Sequence, residues 1–137
     1  MILLDTSGLL AALDESQRQH LACRAALEGA TPPLLLSPFV LAELDYLLMR
    51  HVGAVAQSAL LAEVGRGAFR LEPIAADDIV RAREVAEKFR DLGIGLADAS
   101  LVVLAERHAV ADILTLDRRH FELLRFAQRR RFRIVPD

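Results

Sequence analysis

The sequence predicts an α/β fold, a three-layer α/β/α sandwich with a mostly parallel central sheet, and three observations carry that expectation. Short apolar runs, Ile2-Leu3-Leu4, Leu34-Leu35-Leu36 and Ile113-Leu114, are separated by long stretches of helical periodicity. Runs that are apolar at every position are what strands buried on both faces require. Strand-like and helix-like segments alternate along the chain, the order that yields parallel strands joined by crossover helices. The first and last of these runs lead to an acid, Asp5 and Asp117, at the strand ends where open α/β sheets bind their ligands.

After the first strand, Gly8 to Leu13 reads as a short helix, and Ser16 as the cap of a longer one to about Glu28, ended by Gly29 and Pro32-Pro33. Leu34 to Leu36 is the second strand. Ser37-Pro38 then supplies a cap followed by proline at the first helical position, predicting a helix to about His51. Phe39, Val40, Glu43, Leu44, Leu47 and Leu48 share one broad stripe of that helix, so Glu43 is expected toward the apolar side. Gly53 opens a further helix that Gly65-Arg66-Gly67 stops, and Phe69 to Leu71 is a weak third strand, placed at an edge. Asp77 and Asp78 start an amphipathic helix to about Leu92. Gly93-Ile94-Gly95 breaks it, and Leu96 to about His108 is so apolar that it must be central. A fourth strand ends at Asp117, a short helix spans about Arg118 to Leu124, and Phe132 to Val135 is the last strand. No repeat or linker interrupts this order, so residues 1–137 are expected to form one domain.

Composition narrows the function. Hydrophobic content of 53% with 26% charged residues excludes disorder. No apolar run approaches a bilayer span, and Asp5 and Asp14 break the N-terminal run before it could act as a signal peptide, so no membrane association and a cytoplasmic location are expected. The single cysteine, Cys23, excludes an intrachain disulfide and a cysteine-based zinc site. Net charge is only −2, but it is segregated: residues 1 to 117 hold 17 acids against 10 bases, and residues 118 to 137 hold 7 arginines against 2 acids. Sixteen of the 17 basic residues are arginine, the better group for bidentate phosphate recognition.

Four acids stand in or beside apolar sequence, and the coarse fold puts all of them on one rim of the sheet: Asp5 and Asp117 at strand ends, Asp98 in the first turn of the apolar helix, Glu43 in the helix after the second strand. Ionised carboxylates cannot share a low-dielectric site without taking up protons or recruiting cations. Oxygen-rich anionic sites suit Mg²⁺ or Mn²⁺. Thr6, Ser7 and Thr115 supply hydroxyls to orient a carboxylate or a water around such an ion. The plain alternatives are that Asp5 and Asp117 cap the following helices and that Asp98 answers a helix dipole. Asp14, Asp91 and Asp112 fall in loop-like or exposed contexts and are assigned no chemistry. His20, His51, His108 and His120 share no spacing and read as surface or capping residues; Ser7 has no histidine of evident geometry beside it, so a serine nucleophile is not expected.

Leu4-Asp5-Thr6-Ser7, Val40-Leu41-Ala42-Glu43-Leu44, Gly95-Leu96-Ala97-Asp98-Ala99-Ser100 and Leu114-Thr115-Leu116-Asp117-Arg118-Arg119-His120-Phe121 resemble the four acidic motifs of PIN-domain nucleases, in order and across the whole chain. Length and wording are more narrowly similar to the VapC toxins of prokaryotic toxin–antitoxin modules. The resemblance implies a Mg²⁺- or Mn²⁺-dependent endoribonuclease, with Asp5, Glu43, Asp98 and Asp117 as catalytic, metal-holding acids and no nucleotide cofactor. It further implies a homodimer, neutralisation by a VapB-like antitoxin, and an RNA substrate, transfer or ribosomal, whose cutting inhibits translation. From the residues themselves, Arg118 and Arg119, together with Arg129, Arg130 and Arg131, are expected to flank the RNA path through phosphate contacts. The alternative is a PIN-like module that binds RNA or protein without cutting. A haloacid-dehalogenase-like phosphatase wants a second aspartate where Ser7 stands, and a phospho-receiver wants early paired acids and a lysine after its last strand; neither pattern is present.

Overall fold

A computed structural model describes residues 1–137. In chain order the elements are β1 (Ile2–Leu4), α1 (Thr6–Leu13), α2 (His20–Gly29), β2 (Leu34–Leu36), α3 (Pro38–His51), α4 (Ala54–Gly65), β3 (Arg70–Leu71), α5 (Ala76–Lys88), a 3₁₀ turn (Arg90–Leu92) and α6 (Leu96–His108). β4 (Asp112–Leu114), α7 (Arg118–Phe121), the two strands β5 (Arg125–Phe126) and β6 (Arg130–Arg131), and β7 (Arg133–Val135) complete the chain.

Five strands form one sheet in the order β3-β2-β1-β4-β7, every pairing parallel. β1 is buried throughout and sits at the centre, as its unbroken apolar run requires. The chain moves from β1 outward through β2 to β3, then returns to the other side of β1 as β4. Right-handed crossovers therefore put α1 to α4 on one face and α5 and α6 on the other; in keeping with this, α1 packs on α2 and α3, α3 on α4, and α5 on α6. The direction of winding reverses between β1 and β4, so the crevice of the sheet opens there, at the carboxyl ends that deliver Asp5 and Thr115.

Most element boundaries match the sequence expectation, and the departures have local causes. α1 begins at Thr6 rather than Gly8, directly after the acid. Ser16 caps no helix: its N–H and hydroxyl both donate to Asp14 Oδ1, Gln17 donates to Oδ2, and α2 starts only at His20. Asp14 is consequently buried in a loop rather than exposed. The amphipathic helix ends at Lys88 instead of Leu92, with a 3₁₀ turn closing on Gly93 in the left-handed conformation. The β5–β6 hairpin was not anticipated from sequence; its turn holds Ala127, Gln128 and Arg129 at positive φ without a glycine to mark it. Phe126, at its base, packs on Phe132, which also meets Phe121 edge to face.

Gly8 decides how closely α1 lies on the sheet. A Cβ there would stand 2.7 Å from the Leu114 carbonyl oxygen, so only glycine allows α1 to rest on the β4 backbone. That approach brings Ser7 to Thr115.

Candidate active site

The carboxylate of Asp5, 4% exposed, is fixed by hydroxyls from two elements. Ser7 Oγ donates to Asp5 Oδ2 at 2.8 Å and Thr115 Oγ1 donates to the same oxygen at 2.6 Å. Each hydroxyl accepts in turn from a backbone amide of the β4–α7 loop, Ser7 from Leu116 at 3.0 Å and Thr115 from Asp117 at 2.9 Å. Both hydroxyls donate to Asp5, and the acid makes no side-chain cap to α1. The helix-cap alternative thus fails for Asp5. For Asp117 it holds in part, because Oδ1 accepts from the His120 N–H at 3.1 Å.

Glu43 occupies the edge of the α3 stripe rather than its centre: Val40, Leu44 and Leu48 are buried, whereas Glu43 is exposed as a residue. Its carboxylate still turns inward, with Thr6 Oγ1 donating to Oε1 at 2.7 Å. The starts of α3 and α6 are joined underneath by a buried hydroxyl pair. Ser100 donates to the Ala97 carbonyl at 2.6 Å, leaving its oxygen, 2.7 Å from Ser37 Oγ, to accept from Ser37, which itself accepts from the Phe39 amide. This bond sets Asp98, in the first turn of α6, beside the strand ends.

His120 is the site residue that sequence reading missed. Instead of lying on the surface, it presents Nδ1 to Asp98 Oδ2 at 3.0 Å and to Asp117 Oδ2 at 2.9 Å. The donor atoms of Asp98, Asp117 and His120 all lie within 4.8 Å of one another. The usable signal was the Asp117 to His120 spacing, since positions three apart on a helix share a face.

Electrostatics mark the same cluster. Burial pushes the Asp5 carboxyl above its ordinary value although the Thr115 and Ser7 hydrogen bonds oppose it. Burial first, and then the charge of Asp5, push Asp98 up to about 6, with His120 offsetting only part. No arginine or lysine pairs with any of the four acids; His120 is their one basic contact. A donor set of carboxylate oxygens plus one imidazole, short of positive charge, fits a hard or borderline divalent ion.

The arginines separate into two groups. Arg118 and Arg119 follow Asp117 directly and are exposed on the acid rim, Arg118 donating to the Pro136 carbonyl at 3.0 Å. The hairpin arginines are not brought to the acids. Arg130 reaches the Ala109 carbonyl beyond the far end of α6, about 16 Å along the axis from Asp98 at 1.5 Å per residue. Arg129 and Arg131 belong to the same hairpin, which enters β7 where Arg133 pairs with Asp112 at the start of β4.

A parallel sheet whose winding reverses at β1 and β4, with acids placed on that rim by the residue after β1, by α3, by α6 and by the β4–α7 loop, is the frame of an acid-rimmed α/β domain, and the chain belongs to the PIN domain family, whose model matches residues 2–127. It is 42% identical over 135 residues to Ribonuclease VapC26 of Mycobacterium tuberculosis, an alignment covering 98% of this chain and all of that protein. Among solved structures it is similar to M. tuberculosis VapC20, a sarcin-ricin loop cleaving toxin, with a TM-score of 0.80 at 23% identity over 85% of this chain and 90% of that one. It is also similar to DNA-bound VapBC of Salmonella typhimurium, with a TM-score of 0.70 at 15% identity over 97% and 96%; these two likenesses speak for the fold. No helix is long and apolar enough to cross a membrane.

Proposed function

We propose that the protein is a divalent-metal-dependent endoribonuclease, the toxin of a toxin–antitoxin pair, cutting transfer or ribosomal RNA and thereby inhibiting translation. The observation that carries this reading is that Asp98 and Asp117 meet at His120 within electrostatic reach of buried Asp5, with Glu43 tied to the neighbouring Thr6 and no arginine or lysine to balance them, in a chain 42% identical to a ribonuclease. Asp98, Asp117 and His120 have donor atoms close enough to hold an ion, with Asp5 and Glu43 completing the anionic wall. Mg²⁺ or Mn²⁺ bound there would acidify a water and stabilise charge developing on the leaving oxygen.

The chain's own groups supply positioning. Thr115 and Ser7 hold the Asp5 carboxylate in one orientation, Thr6 holds Glu43, and Asp117 is anchored through its capping bond. Arg118 and Arg119, on the acid rim, contact phosphates flanking the scissile bond. Hydrolysis by water leaves a 5′-phosphate and a 3′-hydroxyl, with no part for the ribose 2′-hydroxyl. A VapB-like antitoxin and a second copy of this chain are the protein partners in this reading, consistent with a fold shared with VapBC assemblies.

The experiment is cleavage of total cellular RNA by purified, antitoxin-free protein with Mg²⁺ or Mn²⁺, beside EDTA and an Asp5→Asn control, with fragment ends mapped. Discrete metal-dependent cuts bearing 5′-phosphates and lost in the variant are expected. A 2′,3′-cyclic phosphate product, or cutting that survives EDTA, defeats the mechanism.

A further inference from the structure

Asp98 and Asp117 each turn one oxygen to the same nitrogen. His120 Nδ1 lies 3.0 Å from the first and 2.9 Å from the second. One ring nitrogen carries at most one proton, so it donates a well-aligned hydrogen bond to one of these oxygens and leaves the other facing bare nitrogen. The spacing suits a shared cation better. Adjacent donors around an octahedral ion with bonds of roughly 2.0 to 2.1 Å stand about 3.0 Å apart, and opposite donors about 4.2 Å. The trio has two edges of that length, and each residue offers a ligand atom within 4.8 Å of the other two. The other two acids are more committed, Asp5 Oδ2 to two hydroxyls and Glu43 Oε1 to Thr6.

We propose that His120 Nδ1 joins Asp98 and Asp117 as a direct ligand of the divalent ion, and that this nitrogen biases the site toward Mn²⁺ over Mg²⁺. The inference rests on the metal-dependent reading above and adds the identity of a ligand and a metal preference to it. Carboxylate oxygens serve both ions, whereas imidazole nitrogen is a softer donor that transition ions accept and Mg²⁺ disfavours. Local structure holds the ring in place: Phe121 is fully buried beside it, and the His120 N–H is tied to Asp117 Oδ1, which leaves Oδ2 for the ring. No other histidine competes for the role. His20 bonds the Ala11 carbonyl, His108 pairs with Glu72, and His51 closes α3.

The test uses the full chain without RNA. Mn²⁺ alone and Mg²⁺ alone are titrated calorimetrically into the wild type, His120→Ala and His120→Asn, the last keeping a hydrogen-bonding amide near the position of Nδ1. Electron spin-echo modulation of bound Mn²⁺ is recorded in parallel. The wild type should show coupling to a directly bound ¹⁴N that changes on labelling with ¹⁵N-histidine, a readout needing no substitution. Both variants should lose that coupling and weaken Mn²⁺ at least about tenfold while weakening Mg²⁺ less than about threefold. An equal loss for both ions, or bound Mn²⁺ without nitrogen coupling in the wild type, overturns the proposal and reduces His120 to a hydrogen-bond donor. A wild type that binds neither ion overturns the metal-dependent reading itself, and this inference with it.

Discussion

The two ends of α6 treat a carboxylate in opposite ways. At its last turn, Glu72 is 3% exposed, and burial alone would raise its carboxyl. His108 bonds it, Arg70 lies at 3.2 Å and Arg107 at 3.5 Å, and together they hold it below its ordinary value. At the first turn, Asp98 receives no such balance. Burial and the neighbouring Asp5 raise it to about 6, and the single imidazole of His120 offsets only part of that. The chain neutralises one buried acid with its own cations and leaves the other cluster short of positive charge. The first arrangement serves stability; the second stores an electrostatic demand that a cation from solution can meet.

Substitutions at the two ends should therefore diverge. Asp98→Asn is expected to cut RNA cleavage by roughly two orders of magnitude, the scale of losing one preorganised charge-stabilising group, without lowering the metal-free melting temperature at pH 7.5. Glu72→Gln should do the reverse. It removes the counter-charge of His108 and the weaker of two from Arg107, which keeps Asp78 at 2.9 Å, costing about 1 to 3 kcal/mol in denaturant unfolding, with cleavage per folded molecule unchanged. If both variants lost activity in proportion to stability, the division between the two ends would be wrong.

Gly8→Ala tests how the balance is held sterically. A Cβ 2.7 Å from the Leu114 carbonyl must push α1 off β4, at about 1 to 3 kcal/mol. Because Ser7 moves with α1, cleavage at a temperature where the variant is fully folded should still fall, as a kinetic assay beside a thermal melt would reveal.

pH separates the clusters more finely. Folded Asp98 keeps its proton up to about 6, against 3.8 for the unsupported carboxyl. Between these values the folded state binds more protons than the unfolded, so metal-free stability falls as pH rises through that window. Glu72 is shifted downward, so its contribution is present above its ordinary value of 4.5 and is lost as pH falls below it. Melting curves from pH 3 to 7 should show the first slope shrink in Asp98→Asn, leaving the share of the likewise raised Asp5, and the second shrink in Glu72→Gln, leaving the shares of Asp14, Asp78 and Asp112. The smallest effect is expected from the acid-rim arginines: replacing Arg118 or Arg119 with alanine should reduce the salt dependence of RNA binding by about one phosphate contact each. An unchanged salt slope would remove both from the RNA path.

Local pattern carried much of this structure. The unbroken apolar runs at Ile2 to Leu4 and Leu34 to Leu36 became central parallel strands, and the Ser37-Pro38 start produced α3 from Pro38 to His51. The strand-terminal position of Asp5 and the near-wholly apolar surroundings of Asp98 pointed to one rim, because an ionised acid in such company is costly unless something there pairs with it. The hairpin at Arg125 to Arg131 was not legible. Its turn has no glycine, and it forms because Phe126 and Phe132 pack together, a contact between residues that no short window reveals. His120 was overlooked for a related reason: a histidine's role depends on what its ring nitrogen meets, and here that is Asp98, twenty-two positions earlier.

The alternation of strands and helices, the four acidic positions and the net-basic, arginine-rich last twenty residues can be read along the chain alone, because periodicity and residue chemistry are local properties. Which groups share space is settled by the packing of the fold. It placed Gly8 against the β4 backbone, sent the hydroxyls of Ser7 and Thr115 to one oxygen of Asp5, inserted His120 between two acids and carried Arg129 to Arg131 to the far end of α6. Those are distances across the sheet, set by crossover handedness and close packing, and apart from the Asp117 to His120 step no spacing along the chain encodes them.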